Sequence, residues 1–223
     1  MALNAIRSAA GYWQRQGWIH HDPSHLLELR KPRPDQSRAL SRADIEALLT
    51  RKDISLRERT LWRMLYETAA RSAEVLALDV EDLDLPNRCA KVQRKGGARD
   101  LIVWQTGTAR LLPRLLKGRT TGPVFVTERK ARVQLPLADL DPDGRARLSY
   151  KQAEALFKAA SGGATLHQLR HSALTHDAEH GTGTPMLMAR SGHTSVRSLA
   201  KYARVSDEAL MRHQAQRDPL RRR

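Results

Sequence analysis

Cysteine is nearly absent. Cys89 stands alone among 223 residues, so no internal disulfide can form and no oxidising compartment is implied. Long apolar runs are absent too: none approaches the roughly 18 residues that span a bilayer. Residues 1–17 carry charge and Trp13 where a signal peptide needs an unbroken apolar stretch. These absences predict a soluble, cytoplasmic chain. Acidic residues are in deficit, 24 against 39 Lys and Arg, giving a net charge of +15 and a pI near 10.8. Such a field attracts a polyanion. Nucleic acid, a membrane surface or plain solubility could each account for it, but no long basic amphipathic helix with bulky apolar anchors supports the membrane. With 40% hydrophobic residues, the chain can bury one good core, or one core and a small appendage.

Periodicity divides the chain near residue 35. Ile6, Ala9, Ala10 and Trp13 are helically spaced, predicting a helix over 3–16 ended by Gly17, then a turn around Pro23. Residues 29–35 hold two prolines and four charges before any new apolar period, which reads as an extended linker. Beyond it, Ser41 and Asp44 suit the start of a helix running through Leu49. Helices are expected over 56–70 and 72–78, and a β-hairpin over 88–104, where the period becomes two and Lys95 lies beside the Gly96-Gly97 turn. A helix over 108–117 would be broken or restarted by Pro113. A short strand at 124–126 is followed by a polar loop to Arg147. Further helices are expected over 149–160, 166–180, 185–190, 196–203 and 207–216. The fold class is therefore α+β, mostly helical with a small antiparallel sheet.

Several basic residues and one tyrosine stand out along this framework. Arg71 follows an apolar helix within Arg71-Ser72-Ala73-Glu74, and a planar guanidinium can give a phosphate two charge-assisted hydrogen bonds without ever losing its proton. Glu74 reads as the group that orients it. His167 and Arg170, in His167-Gln168-Leu169-Arg170, lie one helical turn apart on one face. His193 follows Ser191-Gly192, 23 residues after Arg170, and Tyr202 comes nine residues after His193. A phenol of pKa near ~10 attacks poorly at neutral pH unless cations stabilise its anion. The pairs His167/His171 and His176/His180 have zinc-compatible spacing, but no internal glutamate, cysteine or acidic cluster completes a shell, so no metal is expected.

The order and spacing of these segments resemble the tyrosine recombinase (phage-type integrase) family from about residue 40 to 203. The first arginine box is Arg-x-x-Glu followed by Leu-x-Leu, and Arg94-Lys95-Gly96-Gly97 is similar to the family's hairpin. There Arg94 replaces the usual glycine, so Arg94 and Lys95 compete for the lysine's position, with Lys95 aligning better on the following glycine. The resemblance implies that Tyr202 attacks a phosphate of double-stranded DNA and forms a 3′-phosphotyrosine. Arg71, Arg170 and His193 would stabilise charge, His167 would handle protons or support the phosphate, and Lys95 would protonate the leaving 5′-oxygen. No cofactor, metal or ATP would be needed.

The resemblance further implies a homotetramer on DNA, with accessory DNA-bending proteins as possible partners. Residues 1–34 would be the remnant of a helical core-binding domain plus linker, and 35–223 the catalytic domain with a basic tail. Two other readings stay open: a DNA-binding integrase remnant without activity, and a type IB topoisomerase-like enzyme that relaxes DNA without exchanging partners.

Overall fold

The computed structural model describes residues 2–24, 27, 39–94, 97, 99–199, 207, 210, 211, 214 and 215. The chain divides into two compact units, Met1–Ser37 and Arg38–Arg223. The first contains helix α1, Ala2–Arg15. Its end is set by Gly17, whose φ of 73° is a left-handed value that glycine adopts without strain. Trp18 turns back so that its ring meets Tyr12 edge-on, centroids 5.9 Å apart. Around Pro23, the Asp22 carboxylate accepts from the Ser24 amide and hydroxyl, the expected turn. The expected linker at 29–35 lies outside the described residues.

The second unit is built around helix α3, Leu56–Thr68. Leu61, Trp62, Met64 and Leu65 are each at most 1% exposed. A helix buried on so many sides must be surrounded by others. Its neighbours are α2 (Arg42–Thr50), α4 (Ser72–Leu76), α5 (Thr106–Leu116), α6 (Tyr150–Ala160) and α7 (Leu166–Glu179). Trp62 meets Phe157 of α6 edge-on at 5.2 Å, a favoured aromatic geometry. Ser41 caps α2, its hydroxyl accepting from the Asp44 amide, as expected. Glu67 performs the same service across space: its buried carboxylate accepts from the amides of Gln105 and Thr108 at the start of α5.

The hairpin is present as β2 (Cys89–Gln93) and β3 (Arg99–Val103), with a two-residue strand β1 (Leu83–Asp84) added antiparallel to β2. Two residues carry no readable period, which is why β1 has no sequence signal. A second antiparallel sheet, β4 (Val126–Lys130) with β5 (Arg145–Arg147), stands where a loop to Arg147 was expected. Its register shifts between Val126 and Lys130, so five residues on one strand oppose three on the other and the alternation that marks strands is lost.

Pro113 does not break α5, which runs through it to Leu116. Its missing N–H removes one donor in the last turns, while Leu112 and Leu116 stay buried against the core. Helix α4 stops at Leu76, short of 78, because the Arg147 guanidinium collects the carbonyls of Leu76, Ala77 and Leu78 at 3.3, 3.0 and 3.2 Å. The last elements are α8 (Thr184–Ser191) and α9 (Val196–Leu199). A second apolar cluster, Ala69, Ala173, Leu174, Leu187 and Leu199, ties the end of α3 to α7, α8 and α9. The remainder of the expected 196–203 helix and most of the 207–216 helix lie outside the described residues. Among the described residues no helix is long and apolar enough to cross a membrane.

Near the end of α7, His176 receives the Tyr66 hydroxyl at Nδ1, 2.8 Å away. Burial, reinforced by the neighbouring Arg42 cation and by His180 and His171, pushes His176 down to about 4 from its ordinary 6.5. The folded protein therefore holds this ring neutral, while the unfolded chain takes up a proton once pH drops below about 6.5. Burial raises the nearby Asp177 carboxyl, a change of opposite sign that offsets part of the loss. The expected outcome is that the urea midpoint falls between pH 6.5 and 4, and falls less in His176→Gln. An identical pH slope in that variant would show that His176 is not the group responsible.

Candidate active site

Arg71 is placed by the way α3 ends. Ala69 adopts φ 51°, a left-handed cap, and the chain re-enters a helix two residues later with Arg71 as the N-cap of α4. Glu74, 7% exposed, accepts from the Arg71 amide at 3.0 Å and from its Nη1 at 2.7 Å. One carboxylate thus caps the helix and aims the guanidinium. The Arg71 side chain remains 39% exposed.

Helix α7 starts with a capping box: the Thr165 hydroxyl accepts from the Gln168 amide, and the Gln168 side chain accepts from the Thr165 amide. This fixes His167 in the first turn and Arg170 one turn on. Arg170 is 4% exposed. Its Nη1 donates to the Ala69 carbonyl, beside the Arg71 turn, and its Nη2 donates to the Ser191 carbonyl at 2.6 Å. Ser191 ends α8, Gly192 caps it at φ 61°, and His193 follows. The His193 Nδ1 lies 2.7 Å from the Ser191 hydroxyl, which also reaches the Met188 carbonyl at 3.3 Å. A hydroxyl donating to that carbonyl accepts from Nδ1–H, so Nδ1 is the protonated, tethered nitrogen of His193.

These side chains meet. Arg71, His167, Arg170 and His193 line one cavity of about 260 Å³, together with Ser72, Ala73, Leu166 and Tyr150. Two guanidiniums and two imidazoles around a small open cavity make an anion site, and an oxyanion of phosphate size is the natural occupant. Lys95 and Tyr202 lie outside the described residues. Three contributors were not foreseen. Tyr150 stands at the rim, its phenol raised by burial and then by Glu154, which its hydroxyl approaches at 3.4 Å. It is therefore a protonated donor at neutral pH. Ser191 orients His193, a role that two residues of separation after a glycine-capped helix could have suggested. Arg147 sets the end of α4, from about 70 residues away, with no local signal.

The zinc spacings lead elsewhere. The His176 and His180 Nδ1 atoms face the Tyr66 hydroxyl and the Arg42 guanidinium, each at 2.8 Å. No group of three or more metal-ligand side chains occurs among the described residues.

Comparison with known proteins identifies the family. Residues 37–209 match the Phage integrase family, and the chain belongs to it. It is 29% identical over 224 residues to tyrosine recombinase XerD of Mycobacterium leprae (strain TN), covering 94% of this chain and 70% of that one. Among solved structures, XerA recombinase superposes with a TM-score of 0.64 at 19% identity, over 96% of this chain and 75% of the other. The Tn1549 transposon integrase in complex with circular intermediate DNA gives 0.64 at 17% identity, over 96% and 76%. The protein is a tyrosine recombinase, and the mostly helical fold with small antiparallel sheets is that of the family's catalytic domains.

The two arginines should respond differently to lysine. An ammonium cannot bridge the Ala69 and Ser191 carbonyls as a planar fork does, so Arg170→Lys is expected to lose about 2–3 kcal/mol of stability. Arg71→Lys keeps a cation that is itself partly exposed beside Glu74 and should lose under ~1 kcal/mol. Urea unfolding of the two variants reads this directly, and equal losses would contradict the buried bridging role.

Proposed function

We propose that this chain cleaves and rejoins duplex DNA through a covalent 3′-phosphotyrosine at Tyr202, without metal or ATP. The observation that carries the reading is the convergence of Arg71, His167, Arg170 and His193 on one cavity from three separate chain segments. A scissile phosphodiester in that cavity has its non-bridging oxygens met by Arg71, Arg170 and His193. These donors are held in place before any ligand arrives, so charge that develops on phosphorus oxygens needs no reorganisation to be stabilised.

In the proposed step the Tyr202 phenol oxygen forms a bond to phosphorus and the bond to the 5′-oxygen breaks. The phenol's proton passes to His167, and Lys95 donates a proton to the departing 5′-oxygen. The new linkage is still a phosphodiester, so a 5′-hydroxyl can reverse the step with no outside energy source. Attack by a hydroxyl from another strand gives exchange of partners. All the positive charge comes from side chains, two of them guanidiniums that stay charged at every physiological pH.

Duplex DNA as the partner is supported by the net charge of +15 and by the DNA-bound state of a structural relative. Exchange between two duplexes calls for four protomers on DNA, with accessory DNA-bending proteins as additional partners. Residues 1–34, including most of the first compact unit, are read as part of a helical DNA-clamping domain and its linker.

A suicide duplex nicked beside the scissile phosphate tests the chemistry, because loss of the short fragment traps the adduct. The parent protein should accumulate covalent protein–DNA complex in EDTA and without nucleotide. Tyr202→Phe should still shift the duplex but yield no adduct, and Arg71→Ala should slow adduct formation by about 10²–10³-fold. Mobility shift without any adduct from the parent would identify a binding protein instead. Adduct from Tyr202→Phe would reject Tyr202 as the nucleophile.

A further inference from the structure

The turn that carries His193 is gripped from a second side. Arg94, at the end of β2, is 7% exposed, an unusual degree of burial for a guanidinium. Its Nε lies 2.6 Å from Asp100 Oδ2 across the hairpin, and its Nη2 donates to the Ala189 carbonyl of α8 at 3.4 Å. The guanidinium lies close against Gly192: a Cβ built there would stand 1.5 Å from Nη1 and 2.2 Å from Cζ. Among the described residues the buried Nη1 makes no hydrogen bond, so this placement is not explained by polar satisfaction alone.

The C-terminal end of α8 thus meets two cations. Arg170 takes the Ser191 carbonyl and Arg94 the Ala189 carbonyl. A helix C-terminus carries unpaired carbonyls and partial negative charge, so both contacts are favourable. Their effect differs by origin. Arg170 joins the turn to α7 and to the Arg71 side of the cavity. Arg94 joins it to the β2–β3 hairpin, whose next residue is Lys95.

We propose that Arg94 is a positioning residue that acts through Gly192 on His193, making the hairpin and the His193 turn one mechanical unit. Gly192 serves this unit twice, by its left-handed φ and by leaving room for the guanidinium. Arg94 itself does not touch the phosphate, since it is covered by the turn it supports. Asp100 holds it there, its carboxylate paired with the Nε end.

The kinetic part of the test rests on the strand-cleavage reading, and the spectroscopic part does not. In Arg94→Met, the His193 imidazole resonances, assigned by loss in His193→Gln, should shift well beyond any change at His176. Asp100→Asn should shift them the same way by less, and serves if the methionine variant folds poorly. On the nicked duplex, Arg94→Met should form adduct about 10- to 100-fold more slowly with unchanged DNA binding, and Arg94→Lys should recover part of the rate.

A duplex with sulfur in place of the bridging 5′-oxygen separates the two possible routes. A thiolate leaves without an acid, because thiol pKa lies near ~8.5. The Arg94→Met deficit should persist on it. Full recovery on the sulfur substrate would place the effect at Lys95 and overturn the proposal, as would unmoved His193 resonances. A parent that makes no adduct at all refutes the cleavage reading, and the resonances then decide Arg94 alone.

Discussion

A single buried cation, the Arg170 guanidinium, joins two turns that would otherwise be independent. It spans from the Ala69 carbonyl, where α3 ends, to the Ser191 carbonyl, where α8 ends. Burying a guanidinium carries a large desolvation penalty unless its donors are satisfied. Two helix C-termini directed at one point provide that satisfaction, through carbonyls with no helical partner and through their dipoles. Because Arg71 lies two residues after Ala69 and His193 two residues after Ser191, fixing the carbonyls also fixes these two basic residues. The spacing of the cavity's basic groups is thus a consequence of how two helices end.

The same arrangement answers how like charges can be gathered before an anion is present. Each cation has its own counterweight. Glu74 offsets Arg71 while keeping part of the guanidinium open. Main-chain carbonyls offset Arg170. The Ser191 hydroxyl accepts a hydrogen bond from His193 at no cost in charge. Repulsion among the groups is absorbed by the fold, in the second apolar cluster under Ala69, Leu174, Leu187 and Leu199. Under the proposed function, a phosphate entering the cavity meets donors already aimed, which is what makes electrostatic stabilisation effective.

Features written over a few neighbouring residues were readable in advance. The helices around Leu61–Leu65 and His167–Arg170 follow the 3.6 period, Ser41 and Asp44 mark a helix start, and the alternation from Cys89 to Gln93 gives the hairpin. The site residues announced themselves by spacing within such elements: His-x-x-Arg on one turn, and glycine before His193. Several illegible features join distant segments. Arg147 reaching Leu76–Leu78, Glu67 capping α5 and Arg94 lying on Gly192 each depend on a contact between residues tens of positions apart, and no local pattern encodes them. The β4–β5 pair failed for a different reason, since its shifted register erases the period itself. Pro113 was overestimated as a breaker because propensity yields to packing when the flanking leucines are buried.

Helix ends, not helix faces, are where this domain places the basic residues of its cavity. The cap of α4 carries Arg71, the first turns of α7 carry His167 and Arg170, and the cap of α8 leads into His193. End positions have backbone groups left over, which recruit charged side chains and hold them without a dedicated core. They are also where small changes in helix packing are felt as changes in direction. Residues such as Leu187 and Ala173, buried in the second apolar cluster, therefore act on the cavity by setting where α8 stops against α7. In this fold the apolar packing and the basic cavity are two aspects of one constraint: the helices must end where the cations need their carbonyls.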